Sequence, residues 1–406
     1  MEKADLVIVG GGIFGCAIAY YYTRDNPGKK VVLLERNDLN QAATSRAAAL
    51  MTVVRPKRSY IPLSLETYAV IPQMENMLRE SLGMQRVGMV HIAASEKKVV
   101  DLDNLMEIAG EFGQPASDLT KAETGKKLPW LATEEVLKIG YLPDEGFCDP
   151  YLLGIFFARC AKAQGVQLRS GVEVTGLMID GRSVVGVKTS KGDIQSAFVV
   201  DAAGVWAPIL AKQAACGLPM APVRSQYWIT VRSNLFHPNA PMVILPDAQA
   251  YTRPESGALL VGIRENKSMV VSPESLPKDL AGYSFSPDEG RGDLAENGSK
   301  LARFFPKFYD IGIRHYVAGF SGYSPDGQLV IGEVPGIHGL LVASGCCGAG
   351  ISVAGGVGLG VSALAAGRVN PFDFTDFRLD RFGSIDSFDP AWLQRCAAAR
   401  SQKASG

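Results

Sequence analysis

Three glycines, Gly10-x-Gly12-x-x-Gly15, stand between an apolar run at Leu6–Val9 and a run of small and aromatic residues at Cys16–Thr23. A second apolar run, Val31–Leu34, ends on Glu35, twenty residues after Gly15. Each position has a physical task. Gly10 allows a tight turn from strand to helix, Gly12 lets a pyrophosphate come up to the backbone, and Gly15 lets the helix pack on the strand. The helix start, with Ile13 and Phe14, offers main-chain N–H groups and the positive end of the dipole to phosphates. Glu35, followed by Arg36, is placed to accept hydrogen bonds from a ribose. A lone glycine motif is weak evidence, but strand, glycines, helix, strand and acid in this order predict dinucleotide binding.

Elements enough to position such a site must come from the rest of the chain. With 406 residues, 47% hydrophobic and 20% charged, it can bury a sizeable core. Lys+Arg and Asp+Glu total 41 each, so zero net charge gives no long-range pull on nucleic acid or anionic lipid. The seven cysteines form no CxxC pair and the four histidines show no metal-ligand spacing. Reduced thiols, a cytoplasmic setting and no metal are therefore expected, with each histidine satisfying local hydrogen bonds. The opening MEKADLVIVGG has no apolar run long enough for a signal segment and reads as a first strand.

A stretch from Gly339 to Gly367 carries no charged side chain. It is long enough for a membrane span, yet Pro335-Gly336, Gly345 and Gly348 break it into a strand (Leu340–Ala343), a turn (Gly345–Gly350) and a helix (about Ile351–Ala366). No membrane span is expected.

No second GxGxxG follows a downstream strand, and Glu35 is followed by the polar, Ala-rich RNDLNQAATSRAAALMTVVRP rather than by the next strand of a simple dehydrogenase. Both features favour FAD over NAD. Here the chain resembles the D-amino-acid oxidase superfamily of FAD proteins, in particular glycine oxidase and monomeric sarcosine oxidase. ATSRAAALM, with Thr44, Ser45 and Arg46, is similar to the family's segment beside the flavin. LPDEGFCDPYLLGIFFARCAKAQGVQL, the meander beginning at Val174, the turn with Ala203, Gly204 and Trp206, and the closing GYSPDGQLVIGEVPGIHGLLVASGCCGAG and FTDFRLDRF continue the likeness. The resemblance implies that Gly348, Ala349, Gly350, Ile351 and Ser352 pass close to the flavin ring, the helix start facing the edge where negative charge appears on reduction. The fold it implies is α/β: a Rossmann-type FAD-binding domain (1–85, 142–222 and 325–385) interleaved with an α+β substrate domain (86–141 and 223–324) on a mixed, largely antiparallel sheet, followed by a tail (386–406). VRSQYWITV and ALLVGI are expected strands of that sheet. The polar stretch from Arg264 to Asp293 reads as surface loop or lid. The tail begins like a helix, Asp389 as N-cap and Pro390 at N1, and then frays.

The resemblance further implies removal of hydride from the carbon beside an amine, giving an imine that hydrolyses. For substrate contacts it offers Arg55 and Tyr251, with Tyr323, Arg253 and Arg264 as further groups for an acid. Family residues are absent at four places, where this chain has Ser321, Ser352, Gly319 and Leu260. The Gly319 position implies non-covalent FAD; Leu260, in place of an oxygen-activating lysine, admits an electron-accepting protein or a partner subunit. Cys346 and Cys347 read as small apolar residues rather than a vicinal disulfide. A 2-hydroxy-acid or polyol-phosphate dehydrogenase, and a flavin subunit of a multi-subunit amine dehydrogenase, stay open beside the amine or amino-acid substrate.

Overall fold

The computed structural model describes residues 1–280, 283 and 285–403. Short, continuous apolar runs make the first sheet, as expected for strands covered on both faces. Its order is Val330–Glu333, Leu340–Ser344, Val199–Asp201, Leu6–Val9, Val31–Leu34 and Gln167–Arg169. All neighbours are parallel except the first pair. Leu6 and Ile8 face a core shared with the helices Ile13–Asp25, Ile61–Leu78, Pro150–Ala163 and Ala354–Ala365. Val7 and Val9 face the opposite core, closed by the strands Val174–Asp180 and Ser183–Thr189. The period-2 alternation of one four-residue strand thus assigns both covering layers.

The second sheet has eight strands in the order Ile313–Tyr323, Ala221–Thr230, Ala258–Ile263, Ala250–Glu255, Met242–Leu245, Met89–Ala93, Lys138–Leu142 and Ser117–Asp118. Only Met242–Leu245 with Met89–Ala93 is parallel. It is the mixed, largely antiparallel sheet expected, and both predicted strands lie in it. Since its strands come from 89–142 and 221–323, and those of the first sheet from 6–34, 167–201 and 330–344, the two sheets interleave along the chain.

The glycine-rich stretch divides as predicted, with its helix starting at Ala354, later than Ile351. Thr67 explains the delay: its hydroxyl accepts the Gly355 N–H at 2.9 Å, and the Ser352 hydroxyl donates to the Ala349 carbonyl at 3.0 Å. The glycines inside the helix serve packing. A Cβ on Gly356 would lie 2.2 Å from Leu63 Cα, and one on Gly358 2.8 Å from Ala17 Cβ. Among the described residues no helix is long and apolar enough to cross a membrane.

Three expectations are corrected. The end of the polar stretch is not loop: Pro287–Ala302 is a helix, its N-cap Ser286 accepting from Asp288 N–H. Residues 281, 282 and 284 of that stretch lie outside the described residues. Earlier in it, Leu276 and Leu280 are buried, so the segment covers protein rather than waving in solvent. The tail does not fray after its first turn, because Pro390–Ser401 is helical throughout, with Asp389 capping Ala391 N–H and Trp392, Leu393 and Cys396 packed on Ala221. His91 is buried with Nε2 lacking a hydrogen-bond partner among the described residues, and burial holds its pKa down to about 4.

Candidate active site

A cavity of about 630 Å³ opens beyond the carboxyl ends of the parallel strands, where ligands bind in open α/β sheets. Gly10, Glu35, Ala202 and Gly345, each just past the end of one of these strands, all line it. The eight-stranded sheet supplies the opposite wall through Ser225, Tyr227, Tyr251, Ile263, Gly319 and Tyr323.

At the dinucleotide end, Gly10 turns the chain with φ +103°, and a Cβ there would meet the Ala202 carbonyl at 2.4 Å. Gly15 lies off the cavity wall, packed so tightly that a Cβ would sit 2.0 Å from the Gly10 carbonyl. Gly12 is the extended N-cap of the helix Ile13–Asp25, and a Cβ there would meet only Thr44 Oγ1, at 3.6 Å. Ile13 and Phe14 follow it on the wall, and Ile13 N–H donates to that same hydroxyl at 3.1 Å. The Glu35 carboxylate accepts from Gly11 N–H (2.7 Å) and Asn37 N–H (2.8 Å), which fixes it at the cavity edge. Arg36 lies over the Trp206 ring at 4.7 Å. Arg36 Nε and Trp206 Nε1 are both buried without a partner among the described residues, and both side chains line the cavity. Open space at Gly12, a helix start, a ribose acceptor and two waiting donors fit the FAD that the sequence implies.

Val174, Ala203, Gly204, Thr44 and Arg46 also line the cavity; Ser45 does not, its hydroxyl turned back onto the Gln41 and Ala42 carbonyls. Arg46 reaches across to the Ala318 carbonyl at 3.1 Å and to the Leu280 carbonyl. It thereby ties the segment after Pro273 to the roof.

The other end of the cavity is cationic. Gly348, Ala349, Gly350, Ile351 and Ser352 form its floor, with Cys346 beside them, and Tyr251, Tyr323, Arg264, Arg400 and Lys403 close it. Gly348 has φ +77°, and a Cβ on it would lie 2.7 Å from the Tyr323 hydroxyl. The ring of Tyr251 lies over Gly262, its partner on the neighbouring strand. Burial raises the phenol pKa of both tyrosines, that of Tyr323 to about 12, so both hydroxyls stay protonated donors at neutral pH. Burial, then Arg400, lowers Arg264 to about 10. Arg400 is compensated by Glu265, at 2.7 Å, with both side chains buried.

Arg55 is placed differently from its expectation. It is buried off the cavity wall, donating to the Ser352 hydroxyl at 2.9 Å and to the Thr52 carbonyl, with its guanidinium over Tyr60. Ser352 stands between it and the cavity, so Arg55 braces the turn from behind. Arg253 is likewise engaged elsewhere, with the Ala48 carbonyl and Glu255. Arg400 and Lys403 escaped the sequence reading because a run such as LQRCAAARSQK gives no motif. Only the length of the tail helix could have pointed to them. All seven cysteines are free thiols, Cys346 and Cys347 included.

Comparisons with known proteins agree with this geometry. The family model described as "FAD dependent oxidoreductase" matches residues 5–364. Human mitochondrial sarcosine dehydrogenase is 28% identical over 400 residues, covering 97% of this chain but 43% of that protein. The chain thus spans less than half the length of that relative. Glycine oxidase of Geobacillus kaustophilus is 27% identical, covering 94% of this chain and 97% of its own. Its crystal structure superposes with a TM-score of 0.79 at 25% identity, over 94% of this chain and 99% of that one. L-proline dehydrogenase from P. horikoshii shares the fold, with a TM-score of 0.82 at 24% identity over 94% and 98% of the two chains. A match over most of the chain, on a cavity built for a dinucleotide, has one consequence: the chain belongs to the FAD-dependent oxidoreductase family.

Proposed function

We propose that this chain oxidises the carbon beside the nitrogen of a carboxylate-bearing amine, an amino acid or an N-substituted amino acid, to an imine that hydrolyses. The observation that carries the reading is the buried cationic end of the cavity, where Arg264 and the hydroxyls of Tyr251 and Tyr323 converge beside the Gly348–Ser352 floor. FAD, when bound, supplies the two-electron acceptor for the departing hydride. Arg264 and the two phenols, as protonated donors, hold the substrate acid and so orient the carbon to be oxidised. The tail helix and the residues just beyond it close that end. The relatives named above support the class of substrate, and the free thiols fit a reducing, cytoplasmic setting.

Electron transfer to an acceptor other than oxygen is a second reading. Leu260, fully buried in the roof and paired with Ile229 and Arg253, stands where the resemblance places an oxygen-activating lysine.

Anaerobic addition of N-methyl and cyclic amino acids, and of hydroxy acids, to the purified yellow protein tests the main reading. Bleaching of the flavin bands by an amine with a free carboxylate is expected. Bleaching by hydroxy acids alone would replace amine oxidation with alcohol oxidation. Reoxidation by air, against reoxidation by an artificial dye only, decides the acceptor.

A further inference from the structure

Lys403 reaches the cavity from outside both sheets. The helix before it, Pro390–Ser401, packs its apolar face on the strand Ala221–Thr230, and is tied to the segment after the strand Ala258–Ile263 by Arg400 to Glu265 and by Ser401 to Ser268 at 2.9 Å. Beyond it the Lys403 carbonyl accepts from Arg264, and Nζ donates to the Cys347 carbonyl at 3.1 Å. A Cβ on Gly348 would lie 3.3 Å from that nitrogen and 2.7 Å from the Tyr323 hydroxyl. The amine therefore lies against the turn that floors the substrate end.

We propose that Lys403 accepts the proton of the substrate's ammonium group within the cavity, freeing the amine lone pair before the adjacent carbon is oxidised. This rests on the amine-oxidation reading above and names a residue for a step that reading leaves open. An N–H bond of the substrate breaks, an N–H bond forms on Nζ, and the proton returns to solvent after the product leaves; no electrons change hands in this step.

The surroundings favour the acceptor form. Three cations face Lys403 from two other elements: Arg264 after the strand Ala258–Ile263, and Arg55 and Lys57 ahead of the helix Ile61–Leu78. The Cys347 thiol, itself raised by burial, faces it from the turn, and the Tyr323 phenol faces it from the strand Ile313–Tyr323. Glu265, the acid of this corner, is occupied by Arg400. Burial first, then Arg264 and Arg55, bring Lys403 down to about 7.

The experiment compares Lys403→Met and Lys403→Arg holoenzymes, checked for wild-type flavin content, across the pH profile of kcat/KM with an amine that bleaches the flavin. Both variants should lose roughly 100-fold at neutral pH. Both should recover as pH rises to where the substrate amine is free without help. Arginine keeps the charge but cannot take the proton, so restoration of KM and of the neutral-pH rate by Lys403→Arg would make Lys403 an anion anchor and overturn the proposal. Competitive labelling of the wild-type holoenzyme with trace acetic anhydride, read by peptide mass, reports the lysine directly. Reactivity titrating near neutrality is expected, and titration in the ordinary lysine range of about 10.4 would overturn the proposal. A flavin that no amine bleaches would overturn amine oxidation and this role together, whereas undiminished amine turnover with an unaltered profile in Lys403→Met would remove the role alone.

Discussion

Gly12 and Gly15 belong to one motif and resist substitution for different reasons. A side chain on Gly15 must enter the Gly10 carbonyl, whereas one on Gly12 points to open cavity and brushes only the Thr44 hydroxyl. Gly15→Ala should therefore cost stability even without cofactor, about 1–3 kcal/mol for forced overpacking. Gly12→Val should fold with nearly the wild-type apoprotein Tm and yet bind FAD more than 10-fold more weakly, because its methyl groups occupy the space the pyrophosphate needs. Thermal melts of the apoproteins beside FAD titrations separate the two. Equal losses of apoprotein stability would mean that Gly12 is also a packing residue. At this scale the glycine spacing was legible because each position answers to backbone geometry. The placement of Arg55 was not: a guanidinium can face a ligand or brace a turn, and in the fold it donates to the Ser352 hydroxyl behind the cavity wall.

Two elements show what spacing could and could not reveal. The strand Val199–Asp201 runs into the turn that the resemblance covers, and its last residue carries a buried carboxyl that spacing does not reveal: Oδ1 accepts from Ala203 N–H at 3.0 Å, and Oδ2 has no partner among the described residues. Burial raises this acid from 3.8 to about 7. Between those values the unfolded chain has released the proton and the folded chain retains it, so this group's contribution to stability is whole below about pH 4 and is lost as pH rises to about 7. Asp201→Asn should match wild type near the acid end of that window and melt higher at pH 8. A constant Tm difference between the two proteins across the window would refute the buried neutral acid. The tail helix is the opposite case, since its cap was legible while its partners lie far away in sequence. Arg400→Met would leave Glu265 buried and uncompensated, at a cost of about 3–5 kcal/mol. Replacing both residues by apolar ones should recover most of that loss in urea melts, and no recovery would show that the pair acts through something other than charge.

At the scale of the whole molecule, the two sheets share one cavity. Interleaving was readable because family-like motifs recur on either side of β-rich insertions. The depth of contact between the sheets was not, because it depends on where Arg46, Tyr251 and Tyr323 point once the chain has crossed between them four times. The cavity draws one wall from the ends of Leu6–Val9 and Val31–Leu34 and the other from Ala221–Thr230 and Ile313–Tyr323. A ligand filling it binds the folded arrangement of both sheets and stabilises them together, by about 2.7 kcal/mol at a hundredfold excess over Kd. Hydrogen exchange measured with and without excess FAD should therefore slow in Val31–Leu34 and also in Ala221–Thr230, although the glycine motif lies only on the first side. Protection confined to the parallel sheet would show that the roof opens independently of the bound cofactor, and that the cationic end is assembled only when substrate arrives.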